Sequence, residues 1–538
     1  MSLDAAATRL SPLARRRVAP TLAAVLLACG LAAAAAPARA ANTRAANEVQ
    51  WLDVGAETDV EAAFGAARAQ KKPVLLYWGA RWCPPCNQLK ATLFNRQDFI
   101  ERSRSVVAVH LDGDVPAAQK LGTRFKVRGY PTLILFSPDG AELTRLPGEA
   151  DAAQVMQVLQ LGLSSGRPAR QVLADARAGK PLTGAEWRLL AFYSWDTDES
   201  ALLPEAERAA VLRTLAKSCP ATEPDAGTRL LLKSLAEGAD ATPPTPADPA
   251  VRDRVLKLLA DGIASRTHMD VLTNVATDLV QALAPQLGGD RSALIAALDN
   301  ALQRLQADAT LSRADRLGAL YARVDLARLD QPKDTLHPKL TPALLADVRS
   351  AARRADTEIT DGYERQAVVT AAGSLLAEAG LWSESDALLK SSLSKSHSPY
   401  YLMSELGANA RKLGRSDDAL RWYQQAFEKS DGPATRLQWG ASYLGNLVDL
   451  APKDGPRIES LAATLIDAAG KQPDAFYERN ARYLKKAGTK LVDWNKGGAH
   501  QAALQRLQAR LDGVCARLPA GDAQRGTCES LLKPASKG

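Results

Sequence analysis

The sequence predicts an α/β domain near the N-terminus followed by a long all-α region. Up to about residue 164, short apolar and β-branched runs alternate with helical patterns. Beyond that point apolar residues recur at helical spacing with almost no strand signal. Aromatic residues make up 5% of the chain and alanine is abundant, which favours helix over sheet. At 538 residues the chain is also too long for one domain.

The predicted α/β domain has the element order β, α, β, α, β, α, β, β, α. Asp59 is expected to cap the first helix, and Ser137-Pro138-Asp139-Gly140 to turn the final hairpin. The predicted strands are 49–54, 74–78, 106–111, 133–136 and 141–146; the predicted helices are 60–70, 87–94, 115–125 and 149–163, with a short helical piece near 98–100.

The first 40 residues have the pattern of an export signal. Arg15–Arg17 precede an apolar run from Val18 to Ala36, and Ala38-Arg39-Ala40 offers a small-x-small cleavage site. A retained anchor is the alternative, because the run is about transmembrane length. A lipoprotein box ending at Cys29 and a twin-arginine signal are weaker variants. We therefore predict a periplasmic or secreted protein with a cleaved signal peptide at 1–40.

The charge pattern predicts no nucleic-acid partner. The formal net charge is +8, and the five arginines and one aspartate of residues 1–40 account for +4 of it. The remaining excess is spread over the rest of the chain without a basic block, which is the pattern of ordinary solvated surfaces.

The motif Trp82-Cys83-Pro84-Pro85-Cys86 indicates a specific chemistry. Two cysteines separated by two residues can close a small disulfide and reopen it by thiol exchange. A strand precedes the motif and a helix follows it, so we expect Cys83 at a helix N-terminus. Free backbone N–H groups and the helix dipole stabilise a thiolate there. These features predict an attacking cysteine.

Metal binding is a weaker interpretation of the same cysteines. A dithiol binds soft metals, but the sequence has no second Cys-x-x-Cys and its five histidines are scattered. We therefore predict no metal and no cofactor other than a redox-active disulfide between Cys83 and Cys86.

Three segments together resemble the thioredoxin fold: Lys72–Trp78, Trp82–Cys86 and Gly129-Tyr130-Pro131-Thr132. The resemblance covers about residues 48–164 and is closest to periplasmic domains such as the C-terminal domain of membrane thiol–disulfide interchange reductases. It implies that Cys83 is the nucleophile and Cys86 the resolving cysteine. It also implies that Pro131 is a cis-proline opposite the active site. Tyr130 then presents backbone to a bound peptide, and Trp82 flanks the cysteines.

Tyr77 departs from the family pattern. Many thioredoxins carry a buried aspartate six residues before the first cysteine, where it helps to deprotonate the resolving thiol, and here that position is Tyr77. A tyrosine with an ordinary pKa near ~10 is a poor base at neutral pH. Proton transfer through water or slow resolution are the open alternatives, so fast general disulfide reduction is in doubt.

The rest of the chain is predicted to be helical. After a linker at 164–168 we expect helices over 167–364 with a possible linker at 238–249, tetratricopeptide-like repeats over 365–470, and C-terminal helices over 471–538. The repeats are predicted from the spacing of small and aromatic residues, namely Leu406, Gly407, Gly414, Ala419, Tyr423, Ala426 and Pro433. An irregular solenoid or bundle is the alternative.

The other cysteines are interpreted in the light of export. In an oxidising compartment Cys515 and Cys528 are candidates for a structural disulfide, with two separate thiols as the alternative. Cys219 is expected to be a buried thiol.

Two functional hypotheses follow. The first is an exported thiol–disulfide oxidoreductase that exchanges disulfides with protein clients through Cys83 and Cys86, is regenerated by a redox partner, and uses its helical repeats for recruitment. The second is a helical-repeat binding scaffold whose thioredoxin-like domain has a weak or sensory redox role. The direction of exchange stays open, because reductants, oxidants and isomerases share this site.

Overall fold

A computed structural model describes residues 47–115, 117–148, 150–198, 201–239 and 248–533. The leader predicted at 1–40 and most of the linker predicted at 238–249 lie outside these residues. Val49 opens the compact unit to which the rest of the described chain belongs. Among the described residues, no helix is both long and apolar enough to cross a membrane.

Five strands form one mixed sheet within residues 49–166, which we call the α/β region. Their order across the sheet is β1-β3-β2-β4-β5, with β1, β3 and β2 parallel and β4 and β5 antiparallel. The strands are β1 (Leu52–Asp53), β2 (Val74–Gly79), β3 (Val107–Asp112), β4 (Thr132–Phe136) and β5 (Glu142–Leu146); the flanking helices are α1 (Glu57–Gln70), α2 (Pro84–Thr92), α3 (Gln97–Ser103), α4 (Ala118–Phe125) and α5 (Ala152–Ser165). The predicted fold class is confirmed for this region.

Two local predictions are wrong in detail. β1 is two residues long rather than 49–54, because only Leu52 and Asp53 pair with β3. Asp59 is not the N-cap of α1, which begins at Glu57 with Ala56 as its N-cap. The Asp59 carboxylate instead reaches back from the first turn and accepts the N–H groups of Gly55 and Ala56, at 3.0 and 2.9 Å.

Both faces of the sheet are covered. Alternate β2 side chains, such as Leu76 and Trp78, pack with α1 and α4 on one face, and all six residues of β2 are buried. On the other face the core around Leu75 and Tyr77 includes α2, α3 and α5 and continues into side chains from beyond residue 399. The motif cysteines therefore lie between the sheet and the second part of the chain.

The described elements of residues 167–533, which we call the helical region, confirm the all-α prediction. Only Gly166–Pro168 separate α5 from the first helix of this region, and a short 3₁₀ turn covers Leu393–Lys395. The helices are α6 (Ala169–Arg177), α7 (Gly184–Phe192), α8 (Glu205–Ser218), α9 (Pro224–Glu237), α10 (Pro249–Ala260), α11 (Gly262–Thr267), α12 (Met269–Asn274), α13 (Ala276–Leu283), α14 (Gly289–Ala307), α15 (Arg313–Arg328), α16 (Pro342–Glu358), α17 (Gly362–Glu378), α18 (Trp382–Ser392), α19 (Pro399–Lys412), α20 (Ser416–Lys429), α21 (Pro433–Leu450), α22 (Gly455–Ala469), α23 (Glu478–Trp494), α24 (Gln501–Cys515) and α25 (Ala523–Ser530).

The predicted repeat segment, 365–470, corresponds to helices α17–α22, and consecutive helices in it pack on one another. Two of these helices approach closely at Gly407, where a Cβ would lie 2.9 Å from the ring of Tyr423. A larger residue would push α19 and α20 apart, so the small residue has a packing reason. The tetratricopeptide-like assignment itself stays a prediction.

The remaining cysteines lie in the helical region. Cys515, the last residue of α24, is joined by a disulfide to Cys528 of α25, with the Cα atoms 5.7 Å apart. Cys219 follows α8 as a free thiol that is partly exposed rather than buried. Partial burial raises the pKa of the Cys219 thiol, which disfavours its thiolate.

Candidate functional site

The Trp82–Cys86 motif lies where the chain leaves β2 and enters α2. Cys83 is the N-cap of α2, and Pro84 and Pro85 occupy the first helical positions, where a missing N–H costs no helical hydrogen bond. A disulfide joins Cys83 to Cys86, with the Cα atoms 5.3 Å apart. The backbone N–H of Cys86 donates to Sγ of Cys83 at 3.2 Å. The helix N-terminus therefore faces the predicted nucleophile and favours its thiolate form.

Asn87 fixes the turn that carries the cysteines. Its buried side-chain amide donates to the backbone carbonyls of Arg81 and Cys83, both at 2.8 Å. One side chain thus ties both ends of the Arg81–Cys83 segment to α2 and holds Cys83 at the N-cap position.

Tyr130 and Pro131 lie at the same end of the sheet as the motif. The Tyr130–Pro131 peptide bond is cis, and Pro131 directly precedes β4. The Tyr130 ring stacks on Trp78 at 6.0 Å and meets the ring of Trp82 edge-on at 5.9 Å, measured between ring centroids. Its hydroxyl accepts a hydrogen bond from Gln119, and burial raises the pKa of Tyr130 to about 12. The structure therefore brings Trp82 and Tyr130 together.

Tyr77 packs as a core aromatic residue beneath the site. Its ring stacks on His110 with centroids 5.0 Å apart and meets Phe94 edge-on at 4.8 Å. The buried hydroxyl has no hydrogen-bond partner among the described residues, and burial raises the pKa of Tyr77 far above its ordinary value. Tyr77 therefore cannot accept a proton from Cys86 at neutral pH.

Side chains of the helical region enclose Trp82. The indole N–H donates to the hydroxyl of Thr435 at 2.8 Å, and the ring meets Trp439 edge-on at 4.9 Å. Tyr401 stacks on the indole with ring centroids 5.9 Å apart, and the guanidinium of Arg479 lies 4.9 Å from the indole centroid. Helices α19, α21 and α23 together form this enclosure.

Asp114 attaches α21 to the α/β region. The N-cap of α21 is Gly432, which has no side chain to accept the free N–H groups of the first turn. The Asp114 carboxylate accepts hydrogen bonds from the backbone N–H and the hydroxyl of Thr435. A Cβ at Gly432 would lie 2.5 Å from the Asp114 carboxyl carbon, so glycine is required here. Asp114 thus caps α21 from another part of the chain.

A second carboxylate makes the reciprocal connection. Ala117, the N-cap of α4, also lacks a side-chain acceptor. Asp474 of the helical region accepts the backbone N–H of Gln119 at 2.7 Å, in the first turn of α4. Burial raises the pKa of both carboxyls, that of Asp114 to about 6. Each region therefore supplies a cap that the other lacks.

The enclosure leaves the cysteines little exposed. Cys83 is 3% exposed and Cys86 is fully buried. Gln366 of α17 adds a hydrogen bond to the backbone carbonyl of Trp82 at 3.2 Å. Within the described ranges, no group of three or more His, Cys, Asp or Glu residues is placed to hold a metal ion.

The sequence analysis missed the residues of the helical region that touch the site. Thr435, Tyr401 and Trp439 lie more than 300 positions from Trp82, and no local pattern links them to it. One signal was available. Gly432 immediately before Pro433 starts a helix without a capping side chain, which indicates that the cap comes from elsewhere.

A family model and several curated proteins match part of this chain. Residues 60–162 match the family model described as a thioredoxin-like domain. The thiol:disulfide interchange protein DsbD of Pseudomonas fluorescens is 33% identical over 108 residues, which are 19% of this chain and 18% of that protein. DsbD 2 of Pseudomonas aeruginosa is 33% identical over 106 residues, covering 19% and 18%, and DsbD of Yersinia pestis is 37% identical over 100 residues, covering 18% and 16%.

The matched segment spans under a fifth of the length of these curated relatives. Residues 60–162 are a thioredoxin-like domain, and its Cys-x-x-Cys disulfide indicates the chemistry of a thiol–disulfide oxidoreductase.

Proposed function

We propose that this chain is an exported thiol–disulfide oxidoreductase that exchanges disulfides with protein clients through Cys83 and Cys86. The observation that carries the proposal is the Cys83–Cys86 disulfide at the N-terminus of α2 within a thioredoxin-like domain. Export rests on the leader pattern of residues 1–40 and places the protein in the periplasm or outside the cell.

The reaction passes two electrons in two exchange steps. The Cys83 thiolate attacks one sulfur of a client disulfide; a Cys83–client bond forms and the other client sulfur leaves as a thiolate. The Cys86 thiolate then attacks Sγ of Cys83, closes the Cys83–Cys86 bond and releases the second client sulfur. The client is reduced and the protein oxidised. In reverse, a client dithiol reduces the protein, and the direction follows from the reduction potentials and the redox partner.

Deprotonation of Cys86 is the slow point of this scheme. The side chain at the position of the family's buried acid is Tyr77, whose raised pKa removes it as a base. We propose that the proton leaves through water, so that resolution is slow and the mixed disulfide is long-lived. This favours selective exchange with a recruited client over rapid general reduction.

The helical region is proposed to recruit the client or the redox partner. Its contacts with Trp82 place α19, α21 and α23 directly at the redox site. A partner held on these helices is presented to Cys83 at high effective concentration. The tetratricopeptide-like pattern of 365–470 supports a binding role for this surface.

A trapping experiment tests the assignment of the nucleophile, the exchange activity and the identity of the partner together. The Cys86→Ser variant, reduced and incubated with an extract of the exported proteins, is expected to accumulate mixed disulfides through Cys83 that collapse on adding dithiothreitol. The Cys83→Ser variant is the matched control and is expected to trap nothing. Equal trapping by both variants contradicts the assignment of Cys83.

The alternative is a binding scaffold with a weak or sensory redox role. It is favoured by the 3% exposure of Cys83 and by the core position of Tyr77. A Cys83→Ser/Cys86→Ser double variant that restores the phenotype of a deletion strain, together with no exchange on a model disulfide, supports the scaffold and rejects the oxidoreductase.

A further inference from the structure

A cavity of about 370 Å³ lies beside the Trp82–Cys86 motif. Pro84 and Pro85 form one wall, Gly148 another, and α12, α15 and α17 of the helical region the rest. A Cβ at Gly148 would lie 3.3 Å from the Pro131 ring, so the wall at Gly148 packs against the cis-proline. Its volume is at the lower end of the range of ligand pockets, about 300–1,000 Å³. We call it the proline cleft.

The proline cleft is open where the Trp82 side is closed. Pro85 and Asn274, on opposite walls, are exposed residues. Trp82, by contrast, is 5% exposed under Thr435, Tyr401 and Trp439. Pro84 and Pro85, the residues between the two cysteines, line the cleft, so a segment of chain seated there would lie next to the disulfide without displacing these helices. The narrow volume suits one segment of chain and excludes a folded surface.

The charged groups that line the cleft are acidic. Asp315 and Asp325 of α15 face it, and no lysine, arginine or histidine is among the described residues that form its walls. Asp315 is satisfied by the backbone N–H and hydroxyl of Ser312 and by the side chain of Gln88. Asp325 is the carboxylate without such partners.

The Asp325 carboxylate accepts no hydrogen bond from a described residue. Arg328, the cation whose charge acts on it, forms an ion pair with Glu378. Burial raises the pKa of Asp325 to about 6, so the group is still ionised at neutral pH. An incoming cation would give this half-buried charge the partner it lacks.

We propose that the proline cleft is where the substrate approaches Cys83, and that Asp325 selects a narrow polypeptide segment in which a positive charge flanks the cysteine. The inference rests on the proposed function, and it names the chemistry of the client: an extended, basic stretch with a disulfide or thiol. In the reduced protein the exchange follows the two steps given above, with electrons passing from Cys83 and Cys86 to the client disulfide.

The test compares two disulfide-linked peptides that differ only in having lysine or glutamate on both sides of the cysteine. The second-order rate of oxidation of the reduced full chain is measured at low salt for wild type, for Asp325→Asn and for Asp334→Asn, an exposed control outside the cleft. Wild type and the control are expected to prefer the lysine peptide by about tenfold, because the ionised Asp325 attracts lysine side chains and repels glutamate side chains. Asp325→Asn is expected to lose most of this preference.

Several results overturn the inference. If the peptides react equally in wild type, or if the preference survives in Asp325→Asn, charge selection by the cleft is wrong. A faster reaction with cystamine, a small cationic disulfide, than with the lysine peptide overturns the polypeptide assignment. Neutral 2-hydroxyethyl disulfide distinguishes a failure of charge selection from a failure of the proposed exchange activity. If the protein reacts with this probe but with neither peptide, charge selection by Asp325 is wrong and the oxidoreductase proposal stands. If the protein reacts with no probe, the oxidoreductase proposal itself is wrong.

Discussion

The two disulfides of this protein lie in regions that use the same bond differently. Cys83–Cys86 closes over three positions at the start of α2, and Cys515–Cys528 links the end of α24 to α25 over thirteen. Their burial is nearly the same: the four cysteines are 3%, 0%, 2% and 0% exposed. Burial therefore does not tell a redox site from a structural link.

The positions of the cysteines on their helices do distinguish the two disulfides. Cys83 caps the N-terminus of α2, where the dipole and the N–H of Cys86 stabilise a thiolate. Cys515 is the last residue of α24, and Cys528 lies near the C-terminal end of α25, where the dipole destabilises an anion. These positions favour reopening of the Cys83–Cys86 bond and persistence of the Cys515–Cys528 bond.

The largest expected effect comes from removing each disulfide in turn, because this separates its role in exchange from its role in stability. In the chain-entropy relation, the loss of Cys515–Cys528 costs about 3 kcal/mol of unfolding free energy and the loss of the shorter Cys83–Cys86 loop about 2 kcal/mol. We expect Cys515→Ala/Cys528→Ala to lower the urea midpoint more and to keep exchange activity. Cys83→Ala/Cys86→Ala is the matched variant and is expected to abolish exchange. If the C-terminal variant also loses exchange while folded, the division of roles is wrong.

A smaller effect is expected from opening the Trp82 side. Thr435→Val keeps the side-chain shape but removes the hydroxyl that accepts from Trp82 and donates to Asp114. Leaving buried polar groups without a partner costs about 1–3 kcal/mol. We expect dithiothreitol to reduce Cys83–Cys86 faster in this variant, as followed by tryptophan fluorescence, with no change in the reduction of Cys515–Cys528.

Thr464→Val is the control for that experiment. The Thr464 hydroxyl donates to a backbone carbonyl of its own helix, α22, on an exposed face. A reduction rate of Thr435→Val equal to that of this control shows that the contacts around Trp82 do not limit access to Cys83.

The smallest expected effect is a pH dependence of the same contact. Burial raises the pKa of Asp114 from an ordinary 3.8 to about 6. Below pH 3.8 the group is protonated whether α21 is attached or not. As pH rises from 3.8 toward 6, the Asp114 carboxyl ionises more readily when α21 is detached than when it is attached. Ionisation therefore favours detachment of α21, and the Cys83–Cys86 disulfide becomes easier to reach. The measurement is the rate at which a phosphine reduces Cys83–Cys86 in wild type and in Asp114→Asn. We expect the ratio of the wild-type rate to the variant rate to rise between pH 4 and 6.5. A flat ratio contradicts this role of Asp114.

The α/β region could be predicted because its signals are local. β2 is a continuous apolar run, the cysteines stand at its end, and Pro131 directly precedes β4. Each assignment needed fewer than ten consecutive residues. The detailed errors arose where tertiary contacts decide the outcome. β1 is short because only Leu52 and Asp53 pair with β3, and Asp59 supports α1 from inside the first turn.

The enclosure of the site could not be predicted because its contacts are distant in sequence. Trp82 meets Thr435 across 353 positions, and Gln119 meets Asp474 across 355. Apolar spacing identifies α21 as a helix with a buried face but not the surface against which that face packs. The acidic lining of the proline cleft was hidden in the same way, since Asp325 looked like any charged residue on a solvated helix.

The exchanged caps have a consequence for any attempt to take this protein apart. Asp114 completes α21 and Asp474 completes α4, so a cut at Gly166 would remove one helix cap from each fragment at once. The isolated N-terminal fragment would also place Trp82 and Tyr130 in water. The α/β region is therefore not expected to fold stably when it is separated from the rest of the chain. It depends on the rest of the chain as a subunit depends on an obligate partner, and the two should unfold in one cooperative transition.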